Sequence, residues 1–201
     1  MRRRALPIFL GLLLCSQTKA GLITLDFESL TDLEQVTSQF SGLTFQNTIA
    51  FASGTIGGTL NEFEFLPQSG FIVVSDDGGP ITITFATPVL SLSGYFTYLA
   101  PVTLMAFDGG SNQVGQVVSA FNNNLALSGD PGSSSNELLS VAFAAGIASV
   151  TIAGDQFGGS FTLDDLTLET PDEVPEPASI LLSLTALGTL IGFRRHSTRN
   201  Q

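Results

Sequence analysis

Apolar residues recur at every second position through much of residues 21–170, in short runs that Gly- and Asp-rich segments separate. In one run, Ile81, Ile83 and Phe85 alternate with Thr82 and Thr84. A period of two places apolar side chains on one face of a strand, whereas a helix requires a period of 3.6 residues. Strands with a single apolar face are typical of antiparallel sheets that cover a core. The pattern therefore predicts an all-β fold.

Eight such runs are predicted as strands, and turn residues lie between them. The runs are residues 23–27, 81–85, 90–98, 102–104, 114–121, 138–143, 147–153 and 161–168. Short strands at this spacing predict an antiparallel β-sandwich or jelly roll over residues 21–170. One stretch, 31–40, favours a short helix, because Thr31 and Glu34 match a capping box. Residues 122–136, rich in Asn, Ser and Gly, are predicted to form a long exposed loop.

Charged residues are segregated along the chain. All seven Lys and Arg residues lie within residues 2–19 and 194–199, and all eighteen Asp and Glu residues fall between Asp26 and Glu176. A domain freed of both ends would be acidic without a single cation, so it would repel nucleic acid. Such a surface attracts divalent cations or basic partners, or it simply keeps the domain dispersed in water.

The residue types in the domain exclude most enzymatic chemistry. The one Cys and the one His, Cys15 and His196, lie in the end segments. Without His, Lys and Cys the domain has no imidazole base, no Schiff base and no thiol nucleophile. The adjacent acidic pairs 76–77 and 164–165 are expected to point to opposite faces of a strand, so neither makes a catalytic pair. We therefore expect a non-catalytic protein.

The N-terminal residues 1–20 have the three parts of a secretory signal peptide. Arginines at 2–4 precede an uncharged apolar stretch, and Thr18 and Ala20 are small residues before an expected cut at Gly21. The apolar stretch is shorter than the roughly 20 residues that a lasting membrane anchor needs. Export followed by cleavage by signal peptidase is predicted.

The C-terminal segment is organised around a short motif and a membrane-length stretch. An acidic, Pro-containing linker at 171–177 is followed by an uncharged segment at 178–193 and a basic tail at 194–201. The tail should stay cytoplasmic by the positive-inside rule, which leaves the domain outside the membrane. The motif residues are Val174, Pro175, Glu176, Pro177, Arg194 and Arg195.

This layout resembles the PEP-CTERM sorting signal over residues 174–201. The resemblance implies recognition by exosortase, an integral membrane protease-transpeptidase of bacteria that usually make exopolysaccharide. It implies anchoring in the inner membrane before processing, then the cell surface or extracellular matrix of a Gram-negative-type bacterium. The function it favours is that of a non-catalytic surface or exopolysaccharide-associated matrix protein.

Four carboxylates suggest a calcium site, since calcium takes six to eight oxygen ligands. Asp26 and Glu28 are two residues apart and are expected on one face of the first strand. The apolar parity of the last strand changes at Asp164 and Asp165, which predicts a β-bulge there. The sequences Leu-Asp-Phe-Glu and Leu-Asp-Asp-Leu also resemble the terminal strands of galactose-binding-like jelly rolls, and this implies a structural calcium. A solvated acidic edge that discourages strand pairing is the alternative.

A second function class is a carbohydrate-binding module with structural calcium. Tyr95, Tyr98 and the Asn run at 122–124 are the residues that would contact a sugar. The alternative is structural, because Asn runs commonly fill loops and Tyr98 shares the parity of the expected core residues Leu90 and Phe96.

Overall fold

The computed structural model describes residues 21–171, so the predicted signal peptide, sorting motif, membrane segment and basic tail lie outside the described residues. No helix within residues 21–171 is long and apolar enough to cross a membrane. The described chain forms β1 (Gly21–Leu25), β2 (Leu43–Gln46), β3 (Thr48–Ala52), β4 (Ile72–Asp76), β5 (Ile81–Tyr98), β6 (Thr103–Phe107), β7 (Gln113–Val118), β8 (Glu137–Ala153) and β9 (Phe161–Thr170). A short 3₁₀ helix covers Gly54–Ile56.

Two long strands, β5 and β8, join the strands into two antiparallel layers. The first half of β5 pairs with β2 and the second half of β8, whereas its second half pairs with β9 and the first half of β8. One layer thus runs β2-β5-β8-β6-β7, and the other runs β3-β4-β9-β5-β8 with β1 beside β9. Strands that change layers in this way make the corners of a β-sandwich.

The bend in the β5–β8 ladder has a local cause in the sequence. The register shifts between Thr84 and Ser91, in a segment that contains Pro88. Opposite it, Gly146 has a φ of +104°, and a Cβ there would lie 2.9 Å from the Pro88 Cβ. Proline removes a ladder hydrogen bond and glycine permits the turn in the facing strand, so both strands bend at the same place.

The apolar faces of the strands meet in one core. Ile81, Ile83 and Phe85 are buried in β5, as the alternation predicts. The core also takes residues from β6, β8 and β9, and it includes Leu104, Ile152, Phe161, Leu163, Leu166 and Leu168. The predicted all-β antiparallel sandwich is confirmed for residues 21–171.

Three strands were not predicted, for reasons of composition. All five residues of β4 are buried, and its three apolar residues, Ile72, Val73 and Val74, are consecutive, so no two-residue alternation marks this strand. Strand β2 has only four residues and β3 only five, so each offers few positions in which an alternation could be recognised. The inward positions of β3 are Thr48, Ala50 and Ala52, which give little hydrophobic signal.

The predicted helix at 31–40 is wrong. This segment runs along the outer edge of β3, where Leu33 N–H donates to the Ala50 carbonyl at 2.9 Å and Val36 N–H to the Thr48 carbonyl at 2.8 Å. The capping contact nevertheless forms, because Thr31 N–H donates to the Glu34 carboxylate at 2.9 Å. Here it stabilises a turn, and pairing with β3 replaces the internal hydrogen bonds of a helix.

Candidate functional site

An open groove lies beside the 3₁₀ helix, on the surface of the sandwich. It has a volume of about 420 Å³ and is lined by Ser53, Thr55, Glu62, Phe63 and residues 66–71. Its size falls within the range of ligand pockets, which span roughly 300–1,000 Å³. Three large apolar side chains of the lining are exposed, namely Phe63, Leu66 and Phe71. Phe63 is 72% exposed, so most of its surface is available to a ligand.

The wall formed by residues 68–69 is held by two carboxylates of β9. The Asp164 carboxylate accepts the main-chain N–H of Gln68 at 2.8 Å and that of Ser69 at 3.0 Å. The Ser69 hydroxyl donates to the Asp165 carboxylate at 2.9 Å. Charge-assisted hydrogen bonds of this kind are roughly twice as strong as neutral ones, so they fix the loop on the last strand.

A third carboxylate holds the next residues of the same wall. The Glu28 carboxylate accepts the main-chain N–H groups of Phe71 and Ile72, each at 2.8 Å. Gly70 sits directly over it with a φ of +53°, and a Cβ at Gly70 would lie 2.3 Å from the Glu28 carboxyl carbon. Glycine is therefore favoured at this position, because its backbone is left-handed and a Cβ would displace the Glu28 carboxylate.

The opposite wall is held by Glu62. Its carboxylate accepts the Thr55 N–H at 3.1 Å and also the Thr55 hydroxyl. The hydroxyl and then the N–H of Thr55 lower the pKa of Glu62, so this side chain is ionised at neutral pH. Both walls of the groove are thus fixed by carboxylate contacts to neighbouring loops.

The predicted bulge in β9 is confirmed, and it changes the expected geometry of the acidic pair. Asp165 has a φ of +46°, and the β5–β9 register shifts between Ser93 and Tyr95. Because of this bulge, Asp164 and Asp165 both contact Ser69, and the expectation that they point to opposite faces is wrong.

The two carboxylates of this pair have different environments. Asp164 is only 2% exposed. Burial, with a smaller contribution from the charge of Asp165, raises the pKa of Asp164 to about 6, although three main-chain N–H groups act in the opposite direction. Both Asp164 oxygens accept main-chain N–H groups, from Gln68, Ser69 and Asp165, so neither is presented to the groove.

The first acidic pair lies after β1 rather than on it. This strand ends at Leu25, and the following Phe27 is buried with a φ of +61°, so the predicted placement of Asp26 and Glu28 on one strand face is wrong. Asp26 accepts the Glu28 N–H at 3.2 Å, whereas Glu28 reaches across to Phe71 and Ile72. The chain therefore turns after Leu25, where the sequence predicts that the strand continues to residue 27.

The four carboxylates do not fit a calcium site in this arrangement. Asp26, Glu28 and Asp164 accept main-chain N–H groups, which take up oxygen positions that a cation would use. Within residues 21–171, no group of three or more acidic, His or Cys side chains is arranged to hold a metal ion. Calcium binding stays a prediction from the sequence, and these contacts give the carboxylates a structural role.

Two of the side chains predicted to contact sugar are in the core. Tyr98 is fully buried, and its hydroxyl donates to the Glu137 carboxylate. Burial, and then this hydrogen bond, raise the pKa of Tyr98 to about 12. Asn124 is also buried, so the prediction of a ligand role is wrong for both residues. Tyr95 is half-buried on β5 and does not line the groove.

The predicted loop at 122–136 contains no strand, but it is anchored rather than merely solvated. The Asn124 side chain accepts the Tyr98 N–H at 2.6 Å and donates to the Phe96 carbonyl at 2.9 Å and the Ser134 carbonyl at 3.0 Å. One residue of the Asn run thus ties both ends of the loop to β5.

A second buried carboxylate, Asp76, closes β4. Its Oδ1 accepts the Ser160 N–H at 3.1 Å, whereas its Oδ2 has no hydrogen-bond partner. Burial raises the pKa of this side chain. The neighbouring Asp77 is exposed and accepts the Gln35 side-chain amide at 2.7 Å, so these two carboxylates diverge as the sequence predicts.

Comparison with known proteins gives similarity at the level of structure. No protein family and no curated protein matches the chain. The K2 cleaved adhesin domain of Lys-gingipain has 16% identity and a TM-score of 0.47, covering 74% of this chain and 99% of that one. The K1 cleaved adhesin domain from Porphyromonas gingivalis W83 has 9% identity and a TM-score of 0.43, with 75% and 99% covered.

A third similar structure is a family 11 carbohydrate-binding module from Clostridium thermocellum, in complex with a β-1,3-1,4-mixed-linked tetrasaccharide. It has 12% identity and a TM-score of 0.37, covering 78% of this chain and 99% of that one.

Proposed function

We propose that this chain is an exported, non-catalytic protein of the bacterial cell surface or extracellular matrix. Its acidic β-sandwich is the displayed part, and the two end segments direct it there. The observation that supports a non-catalytic role is the use of the acidic pair in β9. Asp164 and Asp165 hold the loop at 68–69, and Asp164 is buried with both oxygens occupied.

This observation bears on the one catalytic chemistry that the composition leaves open. A glycosidase needs two carboxyl groups that face a substrate, about 5–9 Å apart, and their pKa values must differ. The raised pKa of Asp164 meets the last condition, but its burial and its N–H contacts do not leave it free to donate a proton to a substrate. Hydrolysis of any glycan that stops on the change Asp165→Asn would contradict the proposal.

The proposed export and sorting are inferred from the sequences of the N-terminal and C-terminal segments. The signal peptide at 1–20 accounts for export, and the Val-Pro-Glu-Pro motif with its apolar stretch and arginines accounts for sorting by an exosortase-type enzyme. Two prolines before the predicted membrane segment favour an extended backbone, which would suit a processing enzyme.

The sorting proposal is tested by changing Pro175, Glu176 and Pro177 together to alanine in the native host. We expect an uncut form that fractionates with the inner membrane, while the matched change Pro171→Ala matures normally. If the triple variant matured like the unchanged protein, sorting through this motif would be wrong and a plain C-terminal anchor would replace it.

A second function, carbohydrate binding, is favoured by the groove. Exposed aromatic residues beside polar side chains are typical of sites that bind small molecules and oligosaccharides. A displayed module with such a groove would contact the exopolysaccharide of its own cell. A glycan array separates the two functions, because a purely structural matrix protein selects no sugar.

A further inference from the structure

We propose that the groove between residues 53–55 and 66–71 binds a polysaccharide built of neutral sugars, with sugar rings packed against Phe63 and Phe71. This inference deepens the second function proposed above and gives it a location and a ligand class. The Tyr and Asn residues predicted from the sequence are not part of the site.

The first argument is the exposure of the apolar side chains. Phe63, Leu66 and Phe71 lie within nine residues of the chain and line one groove, and each is about half exposed or more. Large apolar groups clustered around a polar rim commonly mark a binding surface. Each phenyl ring offers a flat apolar face, and the carbon-bound hydrogens of a sugar ring form a matching apolar face.

The second argument is the set of polar groups between these rings. Glu62 is ionised and accepts hydrogen bonds, so it can receive a hydroxyl from a sugar in addition to its contacts with Thr55. Gln68 is exposed, and its main-chain N–H is already held by Asp164, which leaves the side-chain amide for a ligand. An amide both donates and accepts, as a sugar hydroxyl does.

The third argument concerns charge and decides the ligand class. Residues 21–171 contain no Lys, Arg or His that could pair with a carboxylate, sulfate or phosphate of a ligand. Glu62 lies in the groove, and Glu28, Asp164 and Asp165 stand behind its wall. A polysaccharide of uronic acids would bring like charges together, whereas a neutral polysaccharide meets no such repulsion.

The fourth argument is that the groove is already formed. Asp164, Asp165 and Glu28 fix one wall and Glu62 fixes the other, so binding need not order these loops. Preorganisation lowers the entropic cost of binding, which matters for weak, repeated contacts with a long polymer.

The test is affinity electrophoresis of the purified full chain through gels that contain one polysaccharide each. The neutral polymers are dextran, galactomannan and a mixed-linkage β-glucan, and the anionic polymers are alginate and polygalacturonate. We expect at least one neutral polymer to retard the protein and neither anionic polymer to do so. Retardation by no neutral polymer, or stronger retardation by an anionic one, would overturn the inference.

Three variants place the binding in the groove. Phe63→Ala should weaken binding at least tenfold, and Gln68→Ala, which changes an exposed side chain, should also weaken it. Phe157→Ala is the matched control, because Phe157 is 78% exposed but does not line the groove. An equal loss in the control, or unchanged binding by both groove variants, would overturn the location. Neither result affects the sorting experiment, so the proposed polysaccharide site and the proposed sorting through the C-terminal motif can be refuted separately.

Discussion

The change Asn124→Ala tests how the long loop is attached to the sandwich. Asn124 is buried, and its side chain makes three hydrogen bonds, to the N–H of Tyr98 and to the carbonyls of Phe96 and Ser134. Alanine supplies none of them and leaves the main-chain groups without these partners. We therefore expect a loss of stability, which a merely solvated loop at 122–136 would not show.

The magnitude follows from the number of groups left unpaired. A buried polar group without a partner costs about 1–3 kcal/mol, so the two buried groups, the Tyr98 N–H and the Phe96 carbonyl, give about 3 kcal/mol at about 1.5 kcal/mol each. In a domain of about 150 residues, 1 kcal/mol changes Tm by roughly 2–4 °C, which predicts a fall of about 10 °C.

The assay is thermal unfolding followed by circular dichroism, with Asn122→Ala as the control. Asn122 is exposed, and only its main-chain N–H makes a hydrogen bond, to Asp130 at 3.0 Å. Its replacement should change stability by no more than about 0.5 kcal/mol. Equal, small effects of the two alanine changes would refute the reasoning, because the loop would then be solvated throughout its length.

Three further predictions concern packing, pH and calcium. A Cβ at Gly94 would lie 2.4 Å from the Leu163 Cδ1, so Gly94→Ala should cost about 1–3 kcal/mol in urea unfolding, whereas Gly109→Ala, with open space around it, should cost much less. The pKa of Asp164 is raised from 3.8 to about 6, so Asp164 takes up a proton on folding at pH values between these two. The free energy of unfolding should therefore rise as pH falls from 7 to 5, and Asp164→Asn should flatten this rise; a slope that Asp164→Asn leaves unchanged would show that another group is responsible. If calcium binds, 1 mM calcium should raise Tm more than sodium chloride of matched ionic strength does, and the double change Asp164→Asn with Asp165→Asn should remove this difference. Equal rises in Tm with the two salts would contradict the calcium prediction.

The sequence predicts features that local pattern determines. Alternation in β5 and β9 predicts both strands, and the change of parity at Asp164 and Asp165 predicts the bulge that the structure confirms. The same local reasoning fails where tertiary contacts replace local ones. Residues 31–40 match a capped helix, but the open edge of β3 offers main-chain partners that a ten-residue helix cannot outweigh.

The groove could not be predicted from the sequence, because distant segments form it. Asp164 and Asp165 are far in sequence from the loop at 68–71, and so is Glu28. Only folding brings these three carboxylates together behind that loop. Phe63, Leu66 and Phe71 follow no two-residue period, so their exposure becomes apparent only in the fold. The parity of Tyr98 with the core was the one local sign against a ligand role for that residue.

The most direct test of the proposed export and sorting is the intact mass of the mature protein purified from its native cell. We expect a chain that begins at Gly21 and lacks the segment from about Ala178 to Gln201, with any added mass reporting a group attached by the sorting enzyme. A mass that corresponds to the complete chain, or to a chain shortened only at its N-terminus, would contradict sorting through the C-terminal motif.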